Sequence, residues 1–310
     1  MFLLTKYTLC APTCAYVDSE AVMACTRPLN AFKSTSGKVF FTPFQGAEFI
    51  QLPCGQCIGC RLARSREWAV RCTHEAYLYD DNCFITLTYS DEFLRYTSDG
   101  LPTLHRPDLT LFLKRLRKRF NHKIRYFGCG EYGSKLFRPH YHLVLFNHDF
   151  KDKNLFKSGK FPLFISQVLQ ELWPFGHSIV AGFSFESAAY TARYCVKKIN
   201  GANADEHYSG RVPEFSAMSR KPGLGCDFFF KYYYDIVNYD RVVSRGGHAS
   251  QPPRYYDKLL SGCDLELLEA NKEKRIERAK DRAVDPWRLA DIDKFNLVKF
   301  NNMMRKYENG

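Results

Sequence analysis

The sequence predicts an α+β fold organised on an antiparallel hairpin, and three observations carry that prediction. The run Arg138-Pro139-His140-Tyr141-His142-Leu143-Val144-Leu145-Phe146 has the period of a strand. It sends His140, His142, Val144 and Phe146 to one face and Tyr141, Leu143 and Leu145 to the other. Residues 124–131 form a second strand that runs into Tyr132-Gly133 and a short loop, so the two strands pair antiparallel. Amphipathic helical stripes lie on both sides in sequence, the clearest being Leu109, Phe112, Leu113, Leu116 and Phe120.

Composition narrows the class. With 310 residues, 45% of them hydrophobic and including 26 Phe and 19 Tyr, the chain can fill a core as one elaborated domain or two small ones, which excludes disorder and fibres. The 45 Lys and Arg against 33 Asp and Glu leave a net charge of +12, which favours a polyanionic partner. Apolar runs are only a few residues long, so no membrane span is expected. Met1-Phe2-Leu3-Leu4 is interrupted at Lys6 without a basic stretch before it, which argues against a secretory signal and for an intracellular protein. In a reducing compartment the 12 cysteines are thiols or metal ligands.

In chain order, residues 1–53 have weak periodicity, with Cys10, Cys14 and Cys25 among turn residues and a strand over 38–42. Cys54, Cys57 and Cys60 follow at intervals of three. They match half of a zinc site that Cys10, Cys14 or Cys72 would complete, and equally match a metal-free turn at a helix start. That helix buries Leu62, Ala69, Cys72 and Ala76, with Arg61, Arg64, Arg66 and Arg71 around the rest. Residues 83–89 are β-branched and aromatic, a core strand. Pro107-Asp108 opens the next helix, whose Lys114, Arg115, Arg117, Lys118 and Arg119 are a solvated face or, beside a DNA-processing site, phosphate contacts.

At the hairpin, two imidazoles two residues apart can share a metal ion, and Glu131 lies where a carboxylate would complete a His-His-Glu set. Gly128 and Gly133 have phosphate-loop spacing, but Ser134-Lys135 reverses the required order and no helix follows, so no NTPase is expected. A short helix over 162–173 buries Ile165, Val168, Leu169 and Leu172, and a strand follows at 178–183. The helix at 185–198, capped by Ser187, carries Tyr190 and Tyr194 one turn apart with Lys197 and Lys198 beyond them. Residues 201–225 form a loop rich in Gly, Pro and Ser, 227–237 an aromatic helix, 246–254 a linker, 263–282 a charged helix, and 287–307 a packed or partner-binding helix.

Taken as an ordered set, Phe84-Ile-Thr-Leu-Thr-Tyr89, Gly130-Glu131-Tyr132-Gly133 with His140-Tyr-His142, and Tyr190-x-x-x-Tyr194-x-x-Lys197-Lys198 resemble the three motifs of the HUH rolling-circle replication initiators. With the cysteine run and Ser219-Arg-Lys-Pro-Gly-Leu-Gly225, the chain is most similar to the initiators of Microviridae phages of the gokushovirus branch, over roughly residues 53–230. The resemblance implies an antiparallel sheet flanked by helices, with an endonuclease domain at 61–245, a cysteine-bearing segment at 1–60 and a helical C-terminal extension at 246–310.

What it implies about chemistry is equally specific. Tyr190 and Tyr194 are nucleophiles, Lys197 and Lys198 charge-neutralising partners, and His140, His142 and Glu131 ligands of catalytic Mg²⁺ or Mn²⁺. The expected partners are single-stranded and origin DNA, with a host helicase and polymerase, in the cytoplasm of a bacterial host. A relaxase or transposase of the same chemistry and a zinc-stabilised, non-catalytic nucleic-acid-binding protein are the competing possibilities.

Overall fold

The computed structural model describes residues 25–133, 136–197, 204–244, 247–280 and 286–308. The chain begins with a three-stranded sheet of β1 (Leu29–Lys33), β2 (Val39–Phe40) and β3 (Glu48–Leu52), in the order β2-β1-β3. Helix α1 (Ile58–Ala76) leads from it into β4 (Asn82–Tyr89). Then come α2 (Arg106–Arg119), β5 (Arg125–Tyr132), β6 (Pro139–Phe146), β7 (Asn154–Lys157), β8 (Leu163–Ile165), α3 (Gln167–Leu172), β9 (Gly176–Gly182) and α4 (Phe185–Lys197). The remainder runs α5 (Ala204–Tyr208), β10 (Phe215–Met218), α6 (Cys226–Lys231), α7 (Tyr233–Tyr239), β11 (Val242–Val243), β12 (Ala249–Ser250), α8 (Arg254–Ser261), α9 (Leu265–Lys280) and α10 (Leu289–Glu308).

Seven strands form one antiparallel sheet in the order β10-β5-β6-β4-β9-β8-β7, flanked by helices on both faces. Strand periodicity decides the faces. Cys83, Ile85, Leu87 and Tyr89 of β4 and Tyr141, Leu143 and Leu145 of β6 point into one core, where α2 brings Leu109, Phe112, Leu113 and Leu116 and α3 brings Leu169 and Leu172. Phe127, Val144 and Phe146 point to the other face, under Ala69, Cys72 and Ala76 of α1 and Ala188, Ala189 and Ala192 of α4. Alanines let α4 approach α1 closely, and the Ser65 hydroxyl on α1 donates to the Ala189 carbonyl at 3.0 Å. A third core joins Val70 of α1 to Phe229, Ile236, Val237, Tyr256, Leu260 and Leu268, so α6 to α9 pack onto the back of α1.

A buried ion pair between Glu75 and Arg125 ties these layers together. Glu75 also accepts from the Gly225 amide at 2.7 Å, and Arg125 donates to the Pro222 carbonyl at 3.0 Å. The loop after β10 is therefore clamped to both α1 and β5, and its charges are satisfied as burial requires.

Several local expectations change. Residues 162–173 are not one helix: Ile165 ends β8 and is exposed, because Ser166 caps α3 and starts the helix one residue later. Ser187 does not cap α4 alone. The Ser187 amide donates to Ser184 Oγ at 3.1 Å and the Ser184 amide to Ser187 Oγ at 2.9 Å, a reciprocal box with Ser184 at the cap. The stretch 201–225 contains β10, which pairs with β5, and 246–254 contains β12. The glycines that imitate a phosphate loop serve strand packing. A Cβ at Gly128 would lie 2.8 Å from the His142 carbonyl, and one at Gly130 2.8 Å from the Phe215 ring.

Candidate active site and metal centres

Strand register builds the first cluster. β5 and β6 pair with Glu131 opposite His140 and Cys129 opposite His142, so all four side chains share the sheet face that α4 covers. Glu131 Oε1 lies 2.8 Å from His140 Nε2 and 2.7 Å from His142 Nε2, and the three ligand atoms fall within 4.8 Å of one another. The outer ring nitrogens are held as well. His140 Nδ1 is 3.0 Å from the Arg138 carbonyl, which can only accept, so this nitrogen carries the proton. His142 Nδ1 is 3.0 Å from Thr86 Oγ1 on β4.

Those tautomers matter. A neutral His140 protonated at Nδ1 aims the lone pair of Nε2 at a carboxylate oxygen, and two lone pairs meet only across a proton or a metal ion. Glu131 is 1% exposed and its second oxygen, Oε2, is buried without a hydrogen-bond partner. Burial alone would push its carboxyl up, but the His142 and His140 imidazoles beside it hold it below the usual range. Converging lone pairs and an orphaned carboxylate oxygen fit a divalent cation, and two imidazoles with one carboxylate suit Mg²⁺, Mn²⁺ or Zn²⁺.

Helix α4 places Tyr190 over this cluster. Its half-buried ring stands edge-on to His142 at 5.3 Å between centroids and to Phe84 at 6.4 Å, while Phe84 stacks on His142 at 5.5 Å. Tyr190 also packs on Cys129, as does Phe300 of α10. Tyr194 and Lys197 lie further along α4, with side chains outside what is described, and Lys198 falls outside the described residues. Phe84, Thr86 and Phe300 are site residues that sequence reasoning missed. The alternation of β4 marks Phe84 and Thr86 as sharing a face, but only the register with β6 makes it the face of the histidines.

The basic run on α2 is placed elsewhere. α2 packs on the opposite face of the sheet, so Lys114, Arg117, Lys118 and Arg119 do not border the triad. Arg115 donates to the Leu172 carbonyl at 2.9 Å. On α1, Arg71 is a packing residue, sandwiched 4.2 Å from both the Trp68 and Tyr255 rings and donating to the Leu224 carbonyl.

The second cluster lies at the start of α1, where Cys25, Cys54, Cys57 and Cys60 bring four sulfurs within 4.8 Å of one another. The partners proposed for the cysteine run need correcting. Cys72 is fully buried in the core beneath the sheet and contributes nothing here, Cys10 and Cys14 lie outside the described residues, and the fourth thiol is Cys25. Burial pushes the Cys57 thiol up, but amide donors from Cys60 and Thr26 bring it down to about 6. Burial and the neighbouring Cys57 push Cys60 up.

Comparison with known proteins places the chain among relatives. The family of replication-associated proteins of the ORF2 type matches residues 82–199, from the start of β4 through α4. Replication-associated protein VP4 of Bdellovibrio phage phiMH2K is 33% identical over 293 residues, covering 90% of each chain. Replication-associated protein ORF2 of Spiroplasma virus 4 is 33% identical over 283 residues, 83% of this chain and 87% of its own. Replication-associated protein ORF4 of Chlamydia phage 1 is 32% identical over 233 residues, 72% of this chain and 56% of its own. No solved structure matches the chain.

Proposed function

We propose a reaction for this chain on one premise: it belongs to the family of phage replication-associated proteins of the Microviridae, gokushovirus type. The chain initiates rolling-circle replication in the host cell by nicking single-stranded origin DNA with a tyrosine. The observation that carries this proposal is the Tyr190 ring 5.3 Å from His142, in a Glu-His-His cluster whose ring nitrogens converge on one carboxylate oxygen.

Tyrosine is a poor nucleophile at neutral pH, because its phenol has a pKa of about 10 and must lose its proton as it attacks. Glu131, His140 and His142 would hold a divalent ion, which supplies positive charge against the negative charge that builds on the scissile phosphate. The Arg138 carbonyl and Thr86 hydroxyl fix both imidazoles with Nε2 inward, so the ligand geometry exists before DNA arrives. Phe84, His142 and Cys129 hold the Tyr190 ring at the mouth of the cluster.

Attack forms a bond from the phenolic oxygen to phosphorus and breaks the bond from phosphorus to the 3′ oxygen. The phenol's proton is balanced by the proton that the 3′ oxygen gains. The products are a 5′-phosphotyrosine and a 3′-OH that primes synthesis by a host polymerase, with a host helicase opening the duplex. One phosphodiester replaces another, so the displaced strand is closed by the reverse reaction without ATP. Tyr194, one helical turn along α4, is the second nucleophile, which cleaves the regenerated origin while the first remains bonded to DNA. Lys197 and Lys198 would neutralise phenolate or phosphate charge from the same end of the helix.

The test is incubation of the full chain with single-stranded origin oligonucleotide and Mn²⁺. A covalent adduct on a denaturing gel, mapped to Tyr190 or Tyr194, is the expected result. DNA bound without any adduct would instead favour a non-catalytic binding protein, and an adduct on neither tyrosine would overturn the mechanism.

A further inference from the structure

The cysteine cluster plays no part in that reaction, yet it is built as closely as the triad. Cys54, Cys57 and Cys60 occupy one turn leading into α1, and Cys57 is the helix N-cap, its sulfur accepting from the Cys60 amide at 3.5 Å. Cys25 arrives through strand pairing. β1 and β3 run antiparallel with Leu29 opposite Leu52, so the residues just before β1 and just after β3 emerge at the same end of the ribbon.

Amide donors surround the sulfurs. Cys54 N–H donates to Cys25 Sγ at 3.2 Å, and Gln56 and Cys57 N–H donate to Cys54 Sγ at 3.4 and 3.3 Å. Such donors, with the positive end of a helix dipole, stabilise thiolates rather than thiols. The spacing is that of a metal and not of disulfides. Cys57 and Cys25 sulfurs are 3.9 Å apart. A disulfide needs about 2.05 Å, whereas a tetrahedron with metal–sulfur bonds of about 2.3 Å has sulfur–sulfur edges of about 3.8 Å.

The cluster also adjoins the C-terminal helix. Thr26, next to Cys25, donates its hydroxyl to Asp293 Oδ1 at 2.7 Å, and Arg27 reaches Asp293 Oδ2 at 3.3 Å. On α10, Asp293, the fully buried Asn296 and Phe300 recur at helical spacing along one face, and Phe300 ends that face against Cys129 beside Tyr190.

We propose that Cys25, Cys54, Cys57 and Cys60 hold one structural zinc ion, and that this ion seats α10 through Thr26 and Arg27, so that Phe300 closes the flank of the Tyr190 site. Zinc suits four thiolates in closed tetrahedral geometry with no position left for substrate. The site is separate from the triad and its occupancy is read without any nicking assay.

Protein purified without chelator and dialysed should carry about one zinc per chain by elemental analysis. Exchange with Co²⁺ should give sulfur-to-cobalt charge-transfer absorption, a signal that Glu131, His140 and His142 cannot produce because they offer no sulfur. Cys25→Ser should weaken cobalt binding more than about tenfold, whereas Cys263→Ser, at an exposed cysteine outside the cluster, should leave it unchanged. Stripping the metal from wild-type protein should speed amide exchange in α10 while β4 and β6 stay protected. A folded wild-type preparation without zinc or the charge-transfer band, or one holding iron instead, overturns the site. Undiminished binding in Cys25→Ser removes Cys25 from it, and unchanged exchange in α10 on metal loss overturns the coupling.

Discussion

The two ligand clusters are assembled by opposite means. Glu131, His140 and His142 sit on neighbouring strands 11 residues or less apart in sequence, and the ladder between β5 and β6 fixes them before any ion is present. The cysteines need a turn, a helix start and a residue 29 positions upstream. They differ in saturation too. Three ligands beside a half-buried tyrosine leave room for a phosphate oxygen, whereas four sulfurs around one point leave none. An incomplete set of ligands on a rigid sheet is the arrangement chemistry needs, and a complete set joining distant segments is the arrangement architecture needs.

The largest effect should come from the nucleophiles. The double substitution of Tyr190→Phe with Tyr194→Phe should abolish the covalent adduct. Each single substitution should leave some cleavage of a short oligonucleotide but fail to release closed unit-length circles, since termination needs a free phenol while the other is bonded to DNA. A double variant that still forms the adduct would remove α4 from the chemistry and with it the contrast between the clusters.

Next come the ligands. His140→Ala, His142→Ala and Glu131→Ala should each lower nicking by more than about a hundredfold, with circular dichroism and zinc content unchanged. Loss of zinc in any of these variants would mean the clusters are one folding unit after all. A smaller loss, about tenfold, is expected for Thr86→Val, which leaves His142 in place but removes its outer hydrogen bond. It should raise the Mn²⁺ concentration needed for half-maximal nicking. No change there would reduce Thr86 to a packing residue.

The smallest effect separates acid damage to the fold from protonation of the ligands. His74 is buried on α1 between Tyr256 and Val243, and burial lowers its pKa to about 4. An unfolded histidine titrates near 6.5, so between these values only the unfolded chain takes up the proton, and stability falls as pH drops through that window. Urea midpoints should give a loss of about 1 kcal/mol between pH 7 and pH 5.5 from this group. His74→Gln should flatten the slope by that amount, and an unaltered slope would assign the acid sensitivity to other groups such as His148, whose pKa burial and the neighbouring His122 also lower to about 4.

Much of the central fold was legible in the sequence, because it rests on short periods. The alternation of residues 138–146 predicted both faces of β6, and the observed cores divide Tyr141, Leu143 and Leu145 from Val144 and Phe146 along that line. The stripe of α2 was equally plain. What misled was context. Ile165 fits a helical stripe and sits in a strand, because four apolar residues at helical spacing do not say where Ser166 starts the helix. β10 is a four-residue strand in a stretch rich in turn residues, recruited by the open edge of β5. The charges of α2 read the same on either face of the sheet, and packing alone sends them away from the triad.

The sequence by itself determined which residues could share a face: His140 with His142, Tyr190 with Tyr194, and Cys54 with Cys57 and Cys60, since each group lies within one strand or one turn and the backbone repeat fixes their relation. Tertiary structure alone decided which face meets which. It put Thr86 against His142 through the register of β4, Tyr190 over the triad through the packing of α4, Cys25 among the cysteines through the pairing of β1 with β3, and Phe300 beside Tyr190 through the seating of α10. The physical reason is that periodicity is a property of the local chain, whereas the choice of partner depends on which distant surfaces bury one another, and no short window of sequence contains both.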